Sequence, residues 1–295
     1  KQAFYFYIME ENVMLRIAVQ TKGRLNEQSM DLLKEAGVTV SQEKRKFLMR
    51  AADFPAEIIF LRDDDIPEYV QDGIADLGIV GENVITEAGA EVTYLQKLNF
   101  GKCTLKIAVP NESKITELAQ LQGQAIATSY PVILQKFLDE NYVKNVEIRT
   151  ISGSVEIGPG LGLSDAICDI VSTGGTLKSN GLKPFAEVMK SEAVLIGKEG
   201  ADLIPEVQEL LQRIRSVMRA KETKYVVLNV AKENLEKVVN LLPGVKSPTV
   251  VPLFVEGWVA VHSVIAEQDF WEKINSLKAA GAEGIVVMPI EKIIV

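Results

Sequence analysis

Hydrophobic and polar positions along the chain switch between two periods. An apolar run at residues 15–19 ends in a polar turn at 20–24. The next apolar positions, Leu25, Met30, Leu32, Leu33 and Ala36, fall at helical spacing, with Gly37 where a helix stop is expected. The same strand, turn and helix sequence recurs at 57–61 with 66–72, at 77–80 with 83–88, and at 125–127 with 131–141, while 105–109 reads as a further strand. Strands alternating with helices predict parallel sheets wrapped by helices, which bind ligands at the carboxyl ends of their strands.

Residues 103–192 read as a small α/β unit, and a strand at 193–196 and an amphipathic helix at 203–218 close the first unit or lead out of it. After Met218 the order becomes strand 224–230, helix 235–242, strands 249–254 and 258–264, helix 268–280 and strand 284–288. This β-α-β-β-α-β order is that of the ferredoxin-like split, with turn signals Pro243-Gly244 and Glu256-Gly257 at its joints. The predicted division is therefore 14–102 with 193–218 as lobe I, 103–192 as lobe II, and 219–295 as a separate α+β domain. Residues 1–13 are set aside as an extension, because Met14 followed by LRIAVQ reads as a start and no signal-peptide pattern precedes it.

Composition narrows the classes. Of 295 residues 47% are hydrophobic and 24% charged, with 32 basic against 40 acidic side chains and a formal net charge of −8. No apolar run reaches the length of about 18 residues that a membrane span needs, and the apolar fraction is too high for disorder. The acidic balance argues against a nucleic-acid partner, since phosphate-backbone affinity comes from surplus Lys and Arg. Neither nucleic acid nor membrane is expected as a partner. Two cysteines, Cys103 and Cys168, make no disulfide framework and point to a reducing cytoplasm. They read as small buried apolar residues. The single histidine, His262, removes most Ser-His and Cys-His schemes, and its place in a strand favours a structural role.

Most of the chemistry is in DAICDIVSTGGTL, residues 165–177. An apolar strand at 166–171 runs into Ser172, Thr173, Gly174, Gly175 and Thr176 at a helix start. Small residues allow close backbone approach, hydroxyls donate, and helix-start N–H groups attract anions. No Walker lysine follows, so the bend suits a phosphate monoester. Asp165 and Asp169 share a strand face about 13 Å apart at about 3.3 Å per residue, and Asp169 is placed to accept hydrogen bonds from a sugar adjoining the phosphate. The plainer reading is a polar strand end capping the next helix. In RDDDIP, at least one of Asp63 to Asp65 is expected to cap the helix that Pro67 opens. Glu82 and Asn83 either line a cleft or cap a helix.

The run SVEIGPGLGLSDAICDIVSTGGTL closely resembles the phosphoribosyl pyrophosphate segment of the ATP phosphoribosyltransferases, the first enzymes of histidine biosynthesis. TKGRL at 21–25, RDDDIP at 62–67, DLGIVGEN at 76–83, IATSYP at 126–131, PGVKSPT at 243–249 and GAEGIVVMPIEK near the end follow in the family's order. Gly158 stands where the family usually has Ala or Ser. The resemblance implies a two-lobed, periplasmic-binding-protein-like catalytic region plus a C-terminal ferredoxin-like, ACT-like domain, as in the long form that does not depend on a separate regulatory chain. It implies transfer of the 5-phosphoribosyl group from phosphoribosyl pyrophosphate to N1 of ATP, with Mg²⁺ bound mainly through the pyrophosphate.

Carried residue by residue, the resemblance assigns Glu156, Asp169, Ser172, Thr173, Gly174, Gly175 and Thr176 to phosphoribosyl pyrophosphate. It assigns Lys22, Gly23, Arg24, Arg62, Asp63 and Tyr130 to ATP, and catalytic roles to Asp169, Asp165 and Arg24. L-histidine, the family's feedback inhibitor, would meet Asn229, Val245, Ser247, Thr249 and Gly284 between neighbouring subunits of a homo-oligomer, dimer and hexamer. A two-lobed solute-binding protein and an amino-acid-sensing regulator are the alternatives. The first calls for an export signal and the second for a basic DNA-binding module, and neither is seen in the sequence.

Overall fold

Strand β1 (Leu15–Gln20) buries Leu15, Ile17, Ala18 and Val19 completely, as a strand inside a sheet covered on both faces must. The computed structural model describes residues 14–40, 47–171, 174–242, 244 and 247–294. After β1 come α1 (Arg24–Glu35), β2 (Leu48–Arg50), β3 (Ala56–Leu61), α2 (Ile66–Gln71), β4 (Leu77–Gly81), α3 (Glu82–Ala88) and β5 (Thr93–Lys97). The chain then crosses into a second sheet with β6 (Cys103–Pro110), β7 (Ala125–Thr128), α4 (Pro131–Glu140), β8 (Glu147–Thr150), β9 (Ala166–Val171), α5 (Gly175–Ser179) and β10 (Leu182–Ser191). It returns to the first sheet as β11 (Ala193–Gly197).

The sheet orders are β2-β3-β1-β4-β11-β5 and β10-β6-β9-β7-β8. Apart from the edge strand β2 they repeat one plan. Three parallel strands (β3-β1-β4 or β8-β7-β9) are followed by one antiparallel strand from a lobe crossover (β11 or β6), then by a strand parallel to the first three. The expectation of wholly parallel sheets is corrected here. Ala193 pairs with Gly81 and Thr104 with Val171, so each crossing chain enters its sheet at the carboxyl ends of the parallel strands and must run against them. Both sets of carboxyl ends therefore open onto one shared cleft, the usual ligand position in such sheets.

Packing against the sheet is close. A Cβ added at Gly78 in β4 would lie 2.7 Å from Ile66 Cγ2 and 2.9 Å from Val70 Cγ2 of α2, and overpacking of that kind costs about 1–3 kcal/mol.

Helix α6 (Pro205–Lys221) carries the seam between two compact units, which divide between Glu209 and Leu210. The second unit contains β12 (Thr223–Ala231), α7 (Leu235–Val239), β13 (Thr249–Pro252), β14 (Trp258–Ala266), α8 (Glu267–Ala279) and β15 (Glu283–Pro289). Its sheet order is β13-β14-β12-β15, antiparallel throughout, the ferredoxin-like arrangement. Val226, Leu228, Val230, Val261 and Leu277 form its core. The helix expected at 235–242 is shorter, and β13 stops at Pro252. His262 receives or donates a hydrogen bond with the Tyr225 hydroxyl at 2.9 Å, in keeping with a structural role.

Candidate active site

Strand β9 builds the centre of the cleft. Alternation puts Ile167, Asp169 and Val171 on one face. Val155 and Leu177 pack against that face, so the single turn Val155–Ile157 and helix α5 flank the strand on the side of Asp169. Asp169 Oδ1 accepts the Ile170 N–H at 2.7 Å. Burial raises its carboxyl above the ordinary range against that hydrogen bond, and the charge of Glu156 adds to the rise. Gly174, at φ 75°, caps α5 in the left-handed region that glycine tolerates, and a Cβ there would meet nothing within 4 Å. Thr176 is exposed at the helix start. Ser172 and Thr173 lie outside the described residues.

A Cβ at Gly158 would sit 2.9 Å from Ser164 Oγ and 3.2 Å from the Val155 carbonyl. The turn has closed around glycine, so a side chain there would force Ser164 or the turn itself to shift.

Tyr130 leads from β7 into α4. Its phenol is held well above the usual range, first by burial and then by the charges of Asp169, Cys103, Asp63 and Asp64. That list joins both lobes across the cleft, since Asp63 and Asp64 follow β3 in the first sheet. Thr21 bonds the Leu61 carbonyl through its N–H at 2.8 Å and through its hydroxyl at 2.7 Å. The exposed turn of Lys22, Gly23 and Arg24 is thereby tied to the end of β3, beside Arg62 and Asp63. Gly23 has φ 95°.

Three expectations are corrected. Asp165 stands at the amino end of β9, where Oδ2 accepts the Ala125 N–H at 2.8 Å; it clamps β9 to β7 and is not brought to the bend. Asp63, Asp64 and Asp65 make no side-chain helix cap. They form a 3-10 turn that runs directly into α2, and Asp65, at φ −83° and ψ −22°, lacks the extended backbone of a capping residue. Asn83 caps nothing either: it is buried, its Oδ1 accepts from Ser191 Oγ at 2.8 Å, and its N–H donates to the same oxygen at 3.1 Å. Of the two cysteines, Cys168 is fully buried and its thiol is pushed up to about 12 by that burial. Cys103 is only half-buried.

The sequence did not single out the crossover region. Lys97 pairs with Glu82 at 3.0 Å and with Glu192 at 3.5 Å, joining the two connections between the sheets. With Lys102, Cys103, Thr104 and Lys190 these groups line a cavity of about 450 Å³ that reaches Val171, the last residue of β9. That volume lies in the range of small-ligand sites, about 300–1,000 Å³. In the second unit Asn229 lies opposite Glu283, and a Cβ on Gly284, at φ 55°, would fall 3.2 Å from Asn229 Nδ2. Thr249 lies on β13 at the other edge of the sheet, beside exposed Ser247. Val245 lies outside the described residues.

Fold and cleft together define a two-lobed α/β protein of the periplasmic-binding-protein type with an added ferredoxin-like domain. Residues 62–216 match the family described as ATP phosphoribosyltransferase, and residues 220–292 match the HisG, C-terminal domain. The ATP phosphoribosyltransferase of Bacteroides thetaiotaomicron is 53% identical over 284 residues, covering 96% of this chain and 100% of that protein. That of Cytophaga hutchinsonii is 51% identical over 285 residues, covering 96% and 99%. Among solved structures, the ATP phosphoribosyl transferase (HisG:HisZ) complex from Thermotoga maritima aligns with a TM-score of 0.59 and 28% identity, over 68% of this chain and 99% of that chain. The chain belongs to the ATP phosphoribosyltransferase family, the transferases of the first step of histidine biosynthesis.

Proposed function

We propose that the cleft carries out the family's reaction with the following division of labour. Ser172, Thr173, Gly174, Gly175 and Thr176 hold the 5-phosphate of phosphoribosyl pyrophosphate, with Asp169 and Glu156 on the ribose side. Lys22, Gly23, Arg24, Arg62, Asp63 and Tyr130 receive ATP, where Lys22 and Arg24 supply cations for the triphosphate. Adenine N1 attacks the ribose C1, the N–C bond forms as the C–O bond breaks, and pyrophosphate leaves with the electron pair. A positive charge develops on the ribose during this exchange, and the Asp169 carboxylate is placed to stabilise it. Arg24 faces the phosphates. The placement of Asp169 at the end of β9, flanked by the Val155–Ile157 turn and by α5, carries this reading.

Mg²⁺ fits the donor set, since Asp169 and Glu156 offer hard oxygens whose mutual repulsion a cation relieves. Among the described residues no group of three or more His, Cys, Asp or Glu gathers to hold a metal, so substrate pyrophosphate would provide most of the ligands. Bound there, the ion neutralises the leaving group.

The C-terminal domain is proposed as the histidine sensor. In one copy Thr249 on β13 lies two strand spacings, about 10 Å, from the strand of Asn229 and three, about 14 Å, from that of Gly284. One amino acid reaches both sets only where two copies meet, which supports binding between subunits of a homo-oligomer, dimer or hexamer. Exposed Val250 and Val251 on β13, with Val286 and Met288 on β15, provide apolar edges for that assembly. Coupling between that site and the cleft of the first unit makes the inhibition allosteric. The placement proposed for the protein is the cytoplasm, where its substrates are made.

The test is to mix the purified chain with ATP, phosphoribosyl pyrophosphate and Mg²⁺. N1-ribosylated ATP and pyrophosphate appear only with all three, and L-histidine slows their formation. Absence of product with all three present contradicts the assignment of the cleft.

A further inference from the structure

Helix α4 begins without a cap of its own. Its N-cap residue, Tyr130, makes no side-chain capping bond, Pro131 has no N–H, and the Leu134 N–H already bonds the Tyr130 carbonyl at 3.0 Å. That leaves the N–H groups of Val132 and Ile133. Both are met by one carboxylate from the other lobe: Glu87 Oε1 accepts from Val132 at 2.9 Å, and Oε2 from Ile133 at 3.0 Å. The charge lies at the positive end of a ten-residue helix.

Glu87 occupies the last turn of α3, and the first turn of that helix holds the crossover. There Asn83 grips Ser191, while Glu82 accepts the Glu192 N–H at 3.3 Å and pairs with Lys97. A single short helix of lobe I is thus anchored to the hinge at one end and to lobe II at the other. Two residues before the first of these N–H groups stands Tyr130, whose own N–H is held by Thr128 Oγ1 at 2.9 Å. Parting the lobes would strip both α4 N–H groups of their acceptor and release the backbone that carries the phenol. Lobes joined by two connections and held by such a contact can move by hinge closure, and the contact favours the closed arrangement.

We propose that Glu87 is an interlobe latch and a positioning residue: its carboxylate closes on the α4 N-terminus and sets Tyr130 on the ATP side of the cleft. The proposal rests on the assignment of Tyr130 to ATP. Because the N–H groups that Glu87 holds belong to α4, just past Tyr130, its loss bears on the ATP side more than on the sugar side.

The full chain is compared with Glu87→Gln and Glu87→Ala in steady-state kinetics, thermal unfolding and small-angle X-ray scattering. In Glu87→Ala the KM for ATP rises about tenfold or more, while that for phosphoribosyl pyrophosphate stays within about twofold. Glu87→Gln, which keeps one acceptor oxygen, falls between. The unfolding midpoint moves by no more than about 4 °C, and the radius of gyration of Glu87→Ala increases. An unchanged KM for ATP with unchanged scattering overturns the latch. So does an equal rise in both KM values with a larger loss of thermal stability, which would mark general damage. A wild-type chain that makes no product contradicts the assignment of the cleft instead; the latch is then judged by scattering alone, and an unchanged radius in Glu87→Ala refutes it.

Discussion

Asp169→Asn lowers kcat by about 100-fold, or about 2.7 kcal/mol at 1.36 kcal/mol per decade, a size usual for removing one preorganised electrostatic group. The substitution keeps Oδ1 as the acceptor of the Ile170 N–H, so the end of β9 keeps its geometry and only the charge is lost. Stability moves the other way. Burial raises the Asp169 carboxyl, so ionising it costs more in the folded than in the unfolded state. The stability this group contributes is present below the ordinary carboxylate range and is lost as pH rises through the raised value. At neutral pH the Asn variant is therefore at least as stable as wild type, and its advantage shrinks on acidification. Urea unfolding at two pH values, beside single-turnover kinetics, checks both halves. A variant with near wild-type turnover removes Asp169 from the ribose side.

Thr176→Val is expected to raise the KM for phosphoribosyl pyrophosphate by about 10- to 100-fold, because a hydrogen bond to a charged group is worth about 1.5–3 kcal/mol. The change is nearly isosteric and keeps the β-branch. The Thr176 carbonyl, which accepts from Asn180 Nδ2 at 2.9 Å and from its N–H at 3.2 Å, is untouched. A phosphate contact made equally in ground and transition states affects KM more than kcat. Initial rates at varied sugar concentration and saturating ATP give the answer. Unchanged KM places the phosphate elsewhere.

Local pattern made much of this molecule legible. The buried run of β1, the alternation in β9 and the β-α-β-β-α-β order after Met218 each declare themselves through periodicity and turn residues, because in each case the strand's own burial sets the pattern. The crossovers are different. Strand β5, TYLQK, is only partly buried at a sheet edge and shows no continuous apolar run. Strand β10 contains Pro184 and has register irregularities at Pro184/Ala186 and Glu187/Met189. An edge strand tolerates both, yet its sequence reads as a loop. That β6 and β11 run antiparallel is a property of where the chain enters a sheet, and no window of residues encodes it.

The site divides in the same way. The end of β9 at Val171 and the helix start at Gly175 were readable because an apolar strand and small residues are contiguous. Asp165 shares the face of Asp169 and is expected at the strand entrance, but parity cannot show that its carboxylate is taken up by the Ala125 N–H of the neighbouring strand. Glu87 escaped notice because its partners are 45 and 46 positions away. The sequence also offers Thr128 and Ser129 just before α4 as capping hydroxyls, but Thr128 Oγ1 takes the Tyr130 N–H and Ser129 Oγ donates to the Ile151 carbonyl, so the acceptor for Val132 and Ile133 comes from another element.

The most direct measurement is difference electron density from a crystal of this chain soaked with phosphoribosyl pyrophosphate and Mg²⁺. The 5-phosphate is expected against residues 172–176, with a ribose hydroxyl on Asp169. Clear density for the sugar elsewhere in the cleft, with that bend unoccupied, would contradict it.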